Sequence, residues 1–582
     1  MSDTTIEAPA ARKLSAVEAL KEGSHRLRGQ LAAELADGGI QVSEDAYNLL
    51  KFHGSYEQFD RDSATERKQR GEEKEYQFMV RVRMPGGHLT AAQYLALDAL
   101  CEARANATLR ITTRQGIQFH GVLKGNLKPA IADINHALLS TMNACGDVSR
   151  NVMTTPAPRR DVQHRQLEAD ARMLADALRP RSRAYYEIFL DEAPVAGAGE
   201  EEEPLYGSTY LPRKFKIAVI VPSDNTADVL ANDLGLIAIY DDEGRGDTLL
   251  GYNLALGGGH GMTHNNPRTF PRLATPLAFV TPGNLLRGVE AVIRLQRDHG
   301  DRSNRRRARL KYVVADRGVA WVRETLATYY GEALDEARPM PALAVPDLLG
   351  WHEQGDGLWW LGVPVPSGRI ADHPAAEGGA RIRTALREAV ERFGTDPTMT
   401  PQQDVLLTNI RAEDRAALDA LLAGHGVVPA SAMTPFEQYA LACPALPTCG
   451  LALTEAERIR PAMVGALQAA LDRHGLGQRR ISLRITGCPN GCCRTYAGDI
   501  GVVGRMPGFY ALWVGGDFAG TRLSFNLLDR VAEDAVVPTL ERLFAAYARD
   551  GEPDEEFGGF CSRLGQEALL GLVTEKGEAV VA

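Results

Sequence analysis

The chain has 582 residues, of which 44% are apolar and 24% are charged, and its formal net charge is −10. The length predicts two to four domains, and the acidic balance argues against nucleic-acid binding, which needs a positive face. No apolar run is long enough to span a membrane, and the first 23 residues lack the apolar core of a signal peptide. We therefore expect a cytoplasmic protein without a membrane partner, whose clustered cysteines serve metal or redox chemistry rather than disulfides.

Strand-like and helix-like segments alternate along the chain. Alternating or β-branched apolar residues predict strands, and apolar residues at helical spacing predict helices. Residues 57–75 are highly charged and predict a solvated arm or linker. In chain order, the predicted elements are strand 76–84, helix 91–103, strand 108–111, helix 160–178, strand 214–221, helix 380–393, helix 455–474 and strand 481–485.

The chain also resembles itself. Three pairs of stretches recur in the same order, namely 78–89 with 358–370, 110–122 with 398–410, and 213–259 with 480–516. In the third pair, both members read strand, Asp-Leu/Ile-Gly, strand and Gly-Gly. We infer an ancient duplication with halves near 76–260 and 358–516, and we expect one site at their junction.

Four of the eight cysteines lie in two turns rich in proline and glycine. Cys443 and Cys449 are separated by five residues, and Cys488 and Cys492 by three. Such turns can aim backbone N–H groups at sulfur, as iron–sulfur clusters require. Zinc is the main alternative, but structural zinc sites use shorter loops of two to four residues. The spacing therefore favours a [4Fe–4S] cluster over zinc or buried free thiols.

These cysteine motifs resemble the signature of sulfite and nitrite reductases that couple a [4Fe–4S] cluster to sirohaem. The resemblance covers nearly the whole chain and includes KFHGSYEQFDRD (51–62), RITTRQGIQFHGVLKGN (110–126), PRSRAYYEIFLDE (180–192) and YLPRKFK (210–216). It implies that Cys443, Cys449, Cys488 and Cys492 hold the cluster and that Cys492 is also the axial ligand of the sirohaem iron. Cys493 stands where many members have glycine, and we expect it to be a small buried hydrophobe.

The resemblance implies an α+β, pseudo-twofold duplicated fold with three domains around a central sirohaem and iron–sulfur cluster. The predicted segments are an N-terminal partner-docking segment (1–75), a ferredoxin-like half-domain (76–148), a first sirohaem-binding domain (149–348), a second ferredoxin-like half-domain that pairs with the first (349–425), and a second domain with the cluster cysteines (426–582).

A small dianion and the carboxylates of sirohaem both require fixed positive charge. Arg81 and Arg83 alternate on one predicted strand and should face the same side, as should Lys214 and Lys216. Cations at alternate strand positions usually face solvent, but the resemblance implies that Arg81, Arg150, Lys214 and Lys216 bind sulfite. It also implies sirohaem contacts from Arg110, Arg114, Gln118, His120, Arg309 and Asn490. His120 is expected to be a hydrogen-bond partner rather than an iron ligand.

Two further sequence features bear on the substrate and the cofactor. Nitrite-specialised members tend to carry asparagine at the place of Lys216, so this lysine points to sulfite. The glycines of 257–259 predict a close backbone approach to a ligand.

The implied reaction is the six-electron reduction of sulfite to sulfide in assimilatory sulfate reduction and cysteine biosynthesis. The glycine cluster GGGHG (257–261) lacks the strand–GxGxxG–helix context of a dinucleotide site, so electrons must come from a partner. We expect a flavoprotein subunit carrying FAD and FMN that takes electrons from NADPH, with ferredoxin as the alternative donor. An assimilatory nitrite reductase and a non-enzymatic zinc-stabilised binding protein are the remaining alternatives.

Overall fold

The computed structural model describes residues 13–193, 203–241, 246–373 and 379–574. The strands are β1 (Ser55–Phe59), β2 (Tyr76–Arg81), β3 (Leu109–Ile111), β4 (Ile117–Val122), β5 (Met153–Thr154), β6 (Ile217–Ile220), β7 (Leu234–Tyr240), β8 (Leu249–Leu256), β9 (Thr275–Val280), β10 (Gly350–Glu353), β11 (Trp359–Val363), β12 (Arg369–Ile370), β13 (Asp396–Met399), β14 (Val405–Ile410), β15 (Ala440–Ala442), β16 (Leu483–Thr486), β17 (Ile500–Met506), β18 (Phe509–Val514) and β19 (Phe525–Ala532).

The α-helices pack on the sheets that these strands form. They are α1 (Ala16–Gly23), α2 (Leu31–Ala36), α3 (Glu44–Leu50), α4 (Ala64–Gln69), α5 (Ala91–Arg104), α6 (Lys124–His136), α7 (Val162–Ala177), α8 (Ala184–Phe189), α9 (Leu285–His299), α10 (Leu310–Arg317), α11 (Val319–Tyr330), α12 (Ile382–Phe393), α13 (Arg415–Gly424), α14 (Pro435–Gln438), α15 (Arg460–Arg473), α16 (Val536–Asp550) and α17 (Phe557–Val573). Among the described residues, no helix is both long and apolar enough to cross a membrane.

Two five-stranded sheets share one topology. Their orders are β5-β6-β7-β8-β9 and β15-β16-β17-β18-β19. In each sheet the first three strands are parallel and the last two are antiparallel. Ile217 pairs with Leu234 in the first sheet as Leu483 pairs with Ile500 in the second. The long repeat seen in the sequence is therefore a repeat of structure.

The two ferredoxin-like halves interlock through reciprocal turns. Strand β12 of the second half joins the sheet β1-β2-β4-β3 of the first, with Arg369 opposite Arg110. Gly87 has a φ of +81°, and a Cβ there would lie 2.3 Å from the carbonyl oxygen of Met399. Its counterpart in the second half, Gly368, has a φ of +70°, and a Cβ there would lie 2.5 Å from the carbonyl oxygen of Ile111. Only glycine fits these close approaches, and the predicted duplicated α+β fold is confirmed.

The predicted elements are present, with shifted ends that have local causes. Helix α7 begins at Val162 because Asp161 caps it and accepts a hydrogen bond from the His164 N–H at 2.8 Å. Helix α15 begins at Arg460, since proline is tolerated in its first turn. Strand β6 begins only at Ile217, so the lysines predicted on it lie just before the strand.

The charged segment 57–75 is mostly exposed and folded, which agrees with the predicted solvated arm and not with the alternative of a linker. Strands β1 and β2 pair antiparallel as a hairpin, and the segment forms the long connection between them, with α4 at its far end. The N–H of Asp60 donates to the carbonyl of Glu75 at 3.1 Å and closes this connection. The segment before it also packs on the first half, where the buried Lys21 of α1 donates to the carbonyl of Leu211 at 2.8 Å.

Candidate active site

The four predicted cluster cysteines lie in two loops at one edge of the C-terminal sheet. Strands β15 and β16 are parallel neighbours, with Ala442 opposite Ile485. Cys443 and Cys488 follow the ends of these two strands, and the carboxyl ends of parallel strands meet at one edge. The N–H of Cys443 donates to the carbonyl of Ile485 at 3.1 Å, which joins the two loops.

Hydrogen-bond donors surround the sulfur atoms. The backbone N–H of Gly487 lies 3.3 Å from Cys443 Sγ, and the side-chain amide of Asn490 lies 3.5 Å from Cys488 Sγ. A hydrogen bond with the Cys493 thiol is the largest cause that lowers the pKa of Cys443, to about 6. Donors to sulfur stabilise thiolate and are one means by which a protein tunes an iron–sulfur cluster. Asn490, which was predicted to contact sirohaem, therefore contacts the sulfur of Cys488.

Cys492 differs from the other three cysteines in its surroundings. Cys443 and Cys488 are buried and Cys449 is half-buried, whereas Cys492 is exposed. Its side chain therefore borders open space, here called the cavity, close enough to Arg81, Lys214 and Lys216 to interact with them electrostatically. The hydroxyl of Thr113, from the first ferredoxin-like half, donates to the carbonyl of Cys492 at 2.9 Å and ties this turn to the other half of the chain.

The four predicted sulfite-binding cations interact electrostatically with Cys492 or with one another. They are Arg81, Arg150, Lys214 and Lys216. Burial raises the pKa of Cys492. The nearby positive charges of Lys214, Lys216 and Arg81 act in the opposite direction and lower it. Arg150 in turn acts on both lysines. The structure thus brings together side chains from the first repeat and the cysteine loop of the second.

The two lysines carry charge that nothing in the protein neutralises directly. Among the described residues, neither ammonium group has a hydrogen-bond or ion-pair partner. Burial first, and then Lys216, hold the pKa of Lys214 well below its usual range. Burial and Arg114 do the same to Lys216. Buried cations without acidic partners are costly unless an anion joins them. The cavity therefore suits a strongly anionic cofactor and a small anionic substrate.

Arg81 and Arg150 are held in place by neutral groups. Arg81 donates to Cys145 Sγ at 3.2 Å, and the amide oxygen of Gln118, turned toward it, accepts at 2.6 and 3.2 Å. Arg150 donates to the carbonyl of Gly146 at 3.2 Å and to the hydroxyl of Tyr56 at 3.3 Å. These partners orient both guanidinium groups and leave their positive charge available.

Arg83 does not share this site, although alternation on a strand predicted that it would. Strand β2 ends at Arg81, and Arg83 turns to α7, where it donates to the carbonyl of Ala175 at 2.6 Å and to Asp176 at 3.1 Å. The expectation that the two arginines face one side is wrong because the strand stops between them.

Arg114 and His120 both have buried nitrogens without a partner in the described structure. Burial, followed by Arg150, lowers the pKa of Arg114 to about 9, although its two terminal nitrogens donate to Asn232 at 2.8 Å and to the carbonyl of Asn151 at 2.6 Å and only Nε lacks a partner among the described residues. Burial and the arginine Arg369 hold the pKa of His120 well below its usual range, so its ring is neutral. Unsatisfied buried donors of this kind suit a ligand rich in acceptors such as carboxylates.

Arg110 and Arg309 are instead paired with acidic residues. Arg110 approaches Glu457 at 3.4 Å and donates to the carbonyl of Ala442 at 2.9 Å, next to the first cysteine loop. Arg309 forms a bidentate pair with the buried Asp233, at 2.7 and 3.1 Å. Their contacts with sirohaem stay predictions. Their hydrogen bonds to protein groups hold both side chains in place beside the site.

The glycine segment 257–259 packs against the protein's own atoms. A Cβ on Gly258 would lie 2.1 Å from the carbonyl oxygen of Leu230, and one on Gly259 would lie 2.5 Å from Arg309. Lys311, which sequence reasoning missed, donates to the carbonyl of Gly259 at 3.1 Å. Burial and Arg309 lower its pKa to about 6. The basic run around Arg309 was the only sequence signal for it.

Asp147 is a second residue that sequence reasoning missed. It forms a bidentate pair with Arg305 at 2.5 and 2.9 Å and lies 3.7 Å from the buried Lys21. Burial works to raise the pKa of Asp147, but Arg305 and Lys21 outweigh it and hold the pKa far below its usual range. Because Asp147 lies three residues before Arg150, this network anchors the loop that carries Arg150.

Two family models match the chain, each in two places. The nitrite and sulphite reductase 4Fe-4S domain matches residues 169–334 and 439–579, and the nitrite/sulfite reductase ferredoxin-like half domain matches 69–137 and 352–425. The chain belongs to the nitrite and sulfite reductase family. The paired matches follow the structural duplication described above.

Similar proteins in this family cover nearly the whole chain. The sulfite reductase [NADPH] hemoprotein beta-component of Myxococcus xanthus is 47% identical over 95% of this chain and 97% of its own. The sulfite reductase [ferredoxin] of Synechococcus elongatus is 44% identical over 96% of this chain and 91% of its own. The structure of Mycobacterium tuberculosis NirA, 24% identical, has the same fold, with a TM-score of 0.78 over 96% of this chain and 97% of that one.

Membership in the family identifies the cofactors as a [4Fe–4S] cluster and sirohaem. The surroundings fit both groups, since the two cysteine turns lie at one edge of the sheet and offer hydrogen-bond donors to sulfur, and Lys214 and Lys216 beside them have no acidic partner among the described residues. The zinc-stabilised binding protein, considered as an alternative, is set aside by this assignment.

Proposed function

We propose that the protein reduces sulfite to sulfide in a six-electron reaction. The observation that carries this proposal is the set of Arg81, Arg150, Lys214 and Lys216, which interact electrostatically with Cys492 or with one another. The named activities of the similar proteins from Myxococcus xanthus and Synechococcus elongatus support it. Lys216, which stands where nitrite-specialised members tend to have asparagine, favours sulfite over nitrite.

In this proposal, Cys443, Cys449, Cys488 and Cys492 would hold the cluster, and Cys492 would also serve as a ligand for the sirohaem iron. When bound, the two cofactors supply the electrons. The chain's own residues bind the sulfite oxygens and offset their charge, as donors in an oxyanion hole do. Lys214 and Lys216 deliver protons, so that each oxygen leaves as water. Their lowered pKa values suit this role, because a buried ammonium gives up its proton more readily than an exposed one.

The predicted sirohaem contacts divide into two groups. Among the described residues, Nε of Arg114 and both ring nitrogens of His120 lack a partner, and these two side chains suit the carboxylates of sirohaem. The other four residues contact protein groups and hold in place the residues that line the site. They are Gln118, Arg110, Arg309 and Asn490. We propose that these four act mainly by positioning Arg81, the cysteine loops and the lysines.

We further propose that electrons come from NADPH through a flavoprotein subunit, in cytoplasmic assimilatory sulfate reduction. No dinucleotide motif was found in the sequence, and the Myxococcus xanthus relative is named as an NADPH-dependent component. Ferredoxin is the second candidate donor, favoured by the Synechococcus elongatus relative of similar identity.

The test begins with sulfide formation from sulfite by the purified protein with reduced methyl viologen, which bypasses the natural donor. NADPH with a flavoprotein reductase and reduced ferredoxin are then compared at equal electron supply. Sulfide formation with methyl viologen but faster turnover with ferredoxin would overturn the donor proposal alone. A lack of sulfide with all three donors would overturn the function.

A further inference from the structure

Residues 57–75, here called the arm, reach from the first half of the chain to the loop that carries Cys449. The arm lies between β1 and β2, and most of its residues are exposed. Arg61 is half-buried because its side chain turns in against the cysteine loop. Neither the predicted sulfite site nor the predicted sirohaem contacts include the arm.

Arg61 contacts the cysteine loop through four hydrogen bonds. Its backbone N–H donates to the carbonyl of Pro447 at 3.1 Å. One guanidinium nitrogen lies 3.3, 3.3 and 3.4 Å from the carbonyl oxygens of Cys449, Gly450 and Ala452. Three carbonyl dipoles therefore converge on one cation, and removing it would leave them to repel one another.

A second contact lies beside the first. Asp62 pairs with Arg458 at 2.5 and 3.1 Å, but both side chains are about half exposed. Exposed ion pairs contribute little to stability. The attachment of the arm to the loop therefore depends mainly on Arg61.

Arg61 also places a positive charge beside the loop that carries one of the proposed cluster cysteines. One of its guanidinium nitrogens lies 3.3 Å from the carbonyl oxygen of Cys449 itself. Net charge near an iron–sulfur cluster helps to set its potential, because a nearby cation favours the reduced form, which carries one more negative charge.

We propose that Arg61 is a positioning residue for the iron–sulfur cluster, which holds the Cys449 loop closed and raises the reduction potential of the cluster through its positive charge. The arm, which belongs to the first half of the chain, thus holds the cysteine loop of the second half in place. This inference rests on the assignment of the four cysteines to the cluster and is independent of the identity of the electron donor.

The test compares Arg61→Met with Arg70→Met in the full-length protein with its cofactors. Arg70 is the matched control, because its ion pairs within the described part of the chain are with Glu66 and Glu72, both inside the arm. The midpoint potential of the cluster is measured by redox titration followed by electron paramagnetic resonance, and anaerobic iron release to a chelator is timed. We expect Arg61→Met to have a more negative potential and to release iron roughly tenfold faster, with Arg70→Met unchanged.

Equal potentials and equal iron release in the two variants would overturn the proposal. If Arg61→Met assembles no cluster, Arg61→Gln, which keeps a neutral donor, is measured in its place and should also have a more negative potential. An unchanged potential in Arg61→Gln would then be decisive against the proposal. A parental protein that binds no iron–sulfur cluster would instead contradict the cysteine assignment, so the two failures are distinguishable.

Discussion

Asp233 and Arg309 form a buried bidentate ion pair, at 2.7 and 3.1 Å, directly behind the lysines of the proposed sulfite site. The same carboxylate accepts a hydrogen bond from the backbone N–H of Lys216 at 3.0 Å. Asp233 thus neutralises one arginine and fixes the segment that carries both lysines. In the second repeat, Asp499 holds the equivalent position and accepts from Ser482, which replaces the lysine.

Asp233→Asn should shift the pH dependence of sulfite reduction to lower pH. Asp233 raises the pKa of Lys216, whereas burial and the arginines lower it. Loss of this negative charge lowers the pKa further, so the ammonium loses its proton at a lower pH and sulfite binding weakens there. The measurement is kcat/KM for sulfite against pH with reduced methyl viologen. Asp499→Asn is the matched control and should leave the profile in place. An identical profile for Asp233→Asn and the parental protein would contradict this role of Asp233.

Asp147→Asn should destabilise the protein by about 3–5 kcal/mol, because it takes the bidentate carboxylate from Arg305 and removes one of the two buried carboxylates near Lys21, the other being Glu18. The pKa of Asp147 is lowered in the folded protein. Its contribution is therefore present above the usual carboxyl pKa and is lost as the pH falls below it. Urea unfolding at pH 7 and at lower pH measures both effects. Asp176→Asn, at a carboxylate that is 62% exposed, should cost about 1 kcal/mol or less. Equal losses in the two variants would exclude the proposed network.

The cysteine set and the duplication could be predicted from the sequence because both leave local patterns. The partners of the arginines could not. Arg309 and Asp233 are 76 residues apart, and Arg110 and Glu457 are 347 apart. Such pairings depend on how the two halves fold together, which spacing along the chain does not encode. Arg83 was misplaced for a related reason, since a strand pattern does not indicate where hydrogen bonding stops.

Lys216→Asn should lower the rate of sulfite reduction relative to nitrite reduction. Asparagine removes one of two unpartnered ammonium groups, and a dianion loses more binding energy than a monoanion when a cation is removed. The ratio of kcat/KM for sulfite and nitrite measures this preference. Lys128→Asn, at an exposed lysine paired with Asp191, should leave the ratio unchanged. An unchanged ratio in Lys216→Asn would count against the specificity assigned to this residue.

Cys493→Ala should retain the full iron content of the parental protein. Cys493 is buried to 1% exposure in the apolar core of the C-terminal domain and contacts Cys443 rather than facing the cavity. Alanine keeps most of its volume and removes only a neutral thiol. Iron per chain is measured after anaerobic purification, with Cys488→Ala as the variant expected to lose iron. Iron loss in Cys493→Ala as large as that in Cys488→Ala would identify Cys493 as a ligand.

The most direct test of the proposed site is sulfide production by Cys492→Ser beside the parental protein. Both are purified anaerobically and assayed with sulfite and reduced methyl viologen, and their visible spectra are recorded. The parental protein should form one sulfide for every six electrons consumed. Cys492→Ser should form none and should show an altered sirohaem spectrum, because the proposed shared ligand is lost. Normal sulfide formation by Cys492→Ser would contradict the assignment of Cys492 and the site built around it.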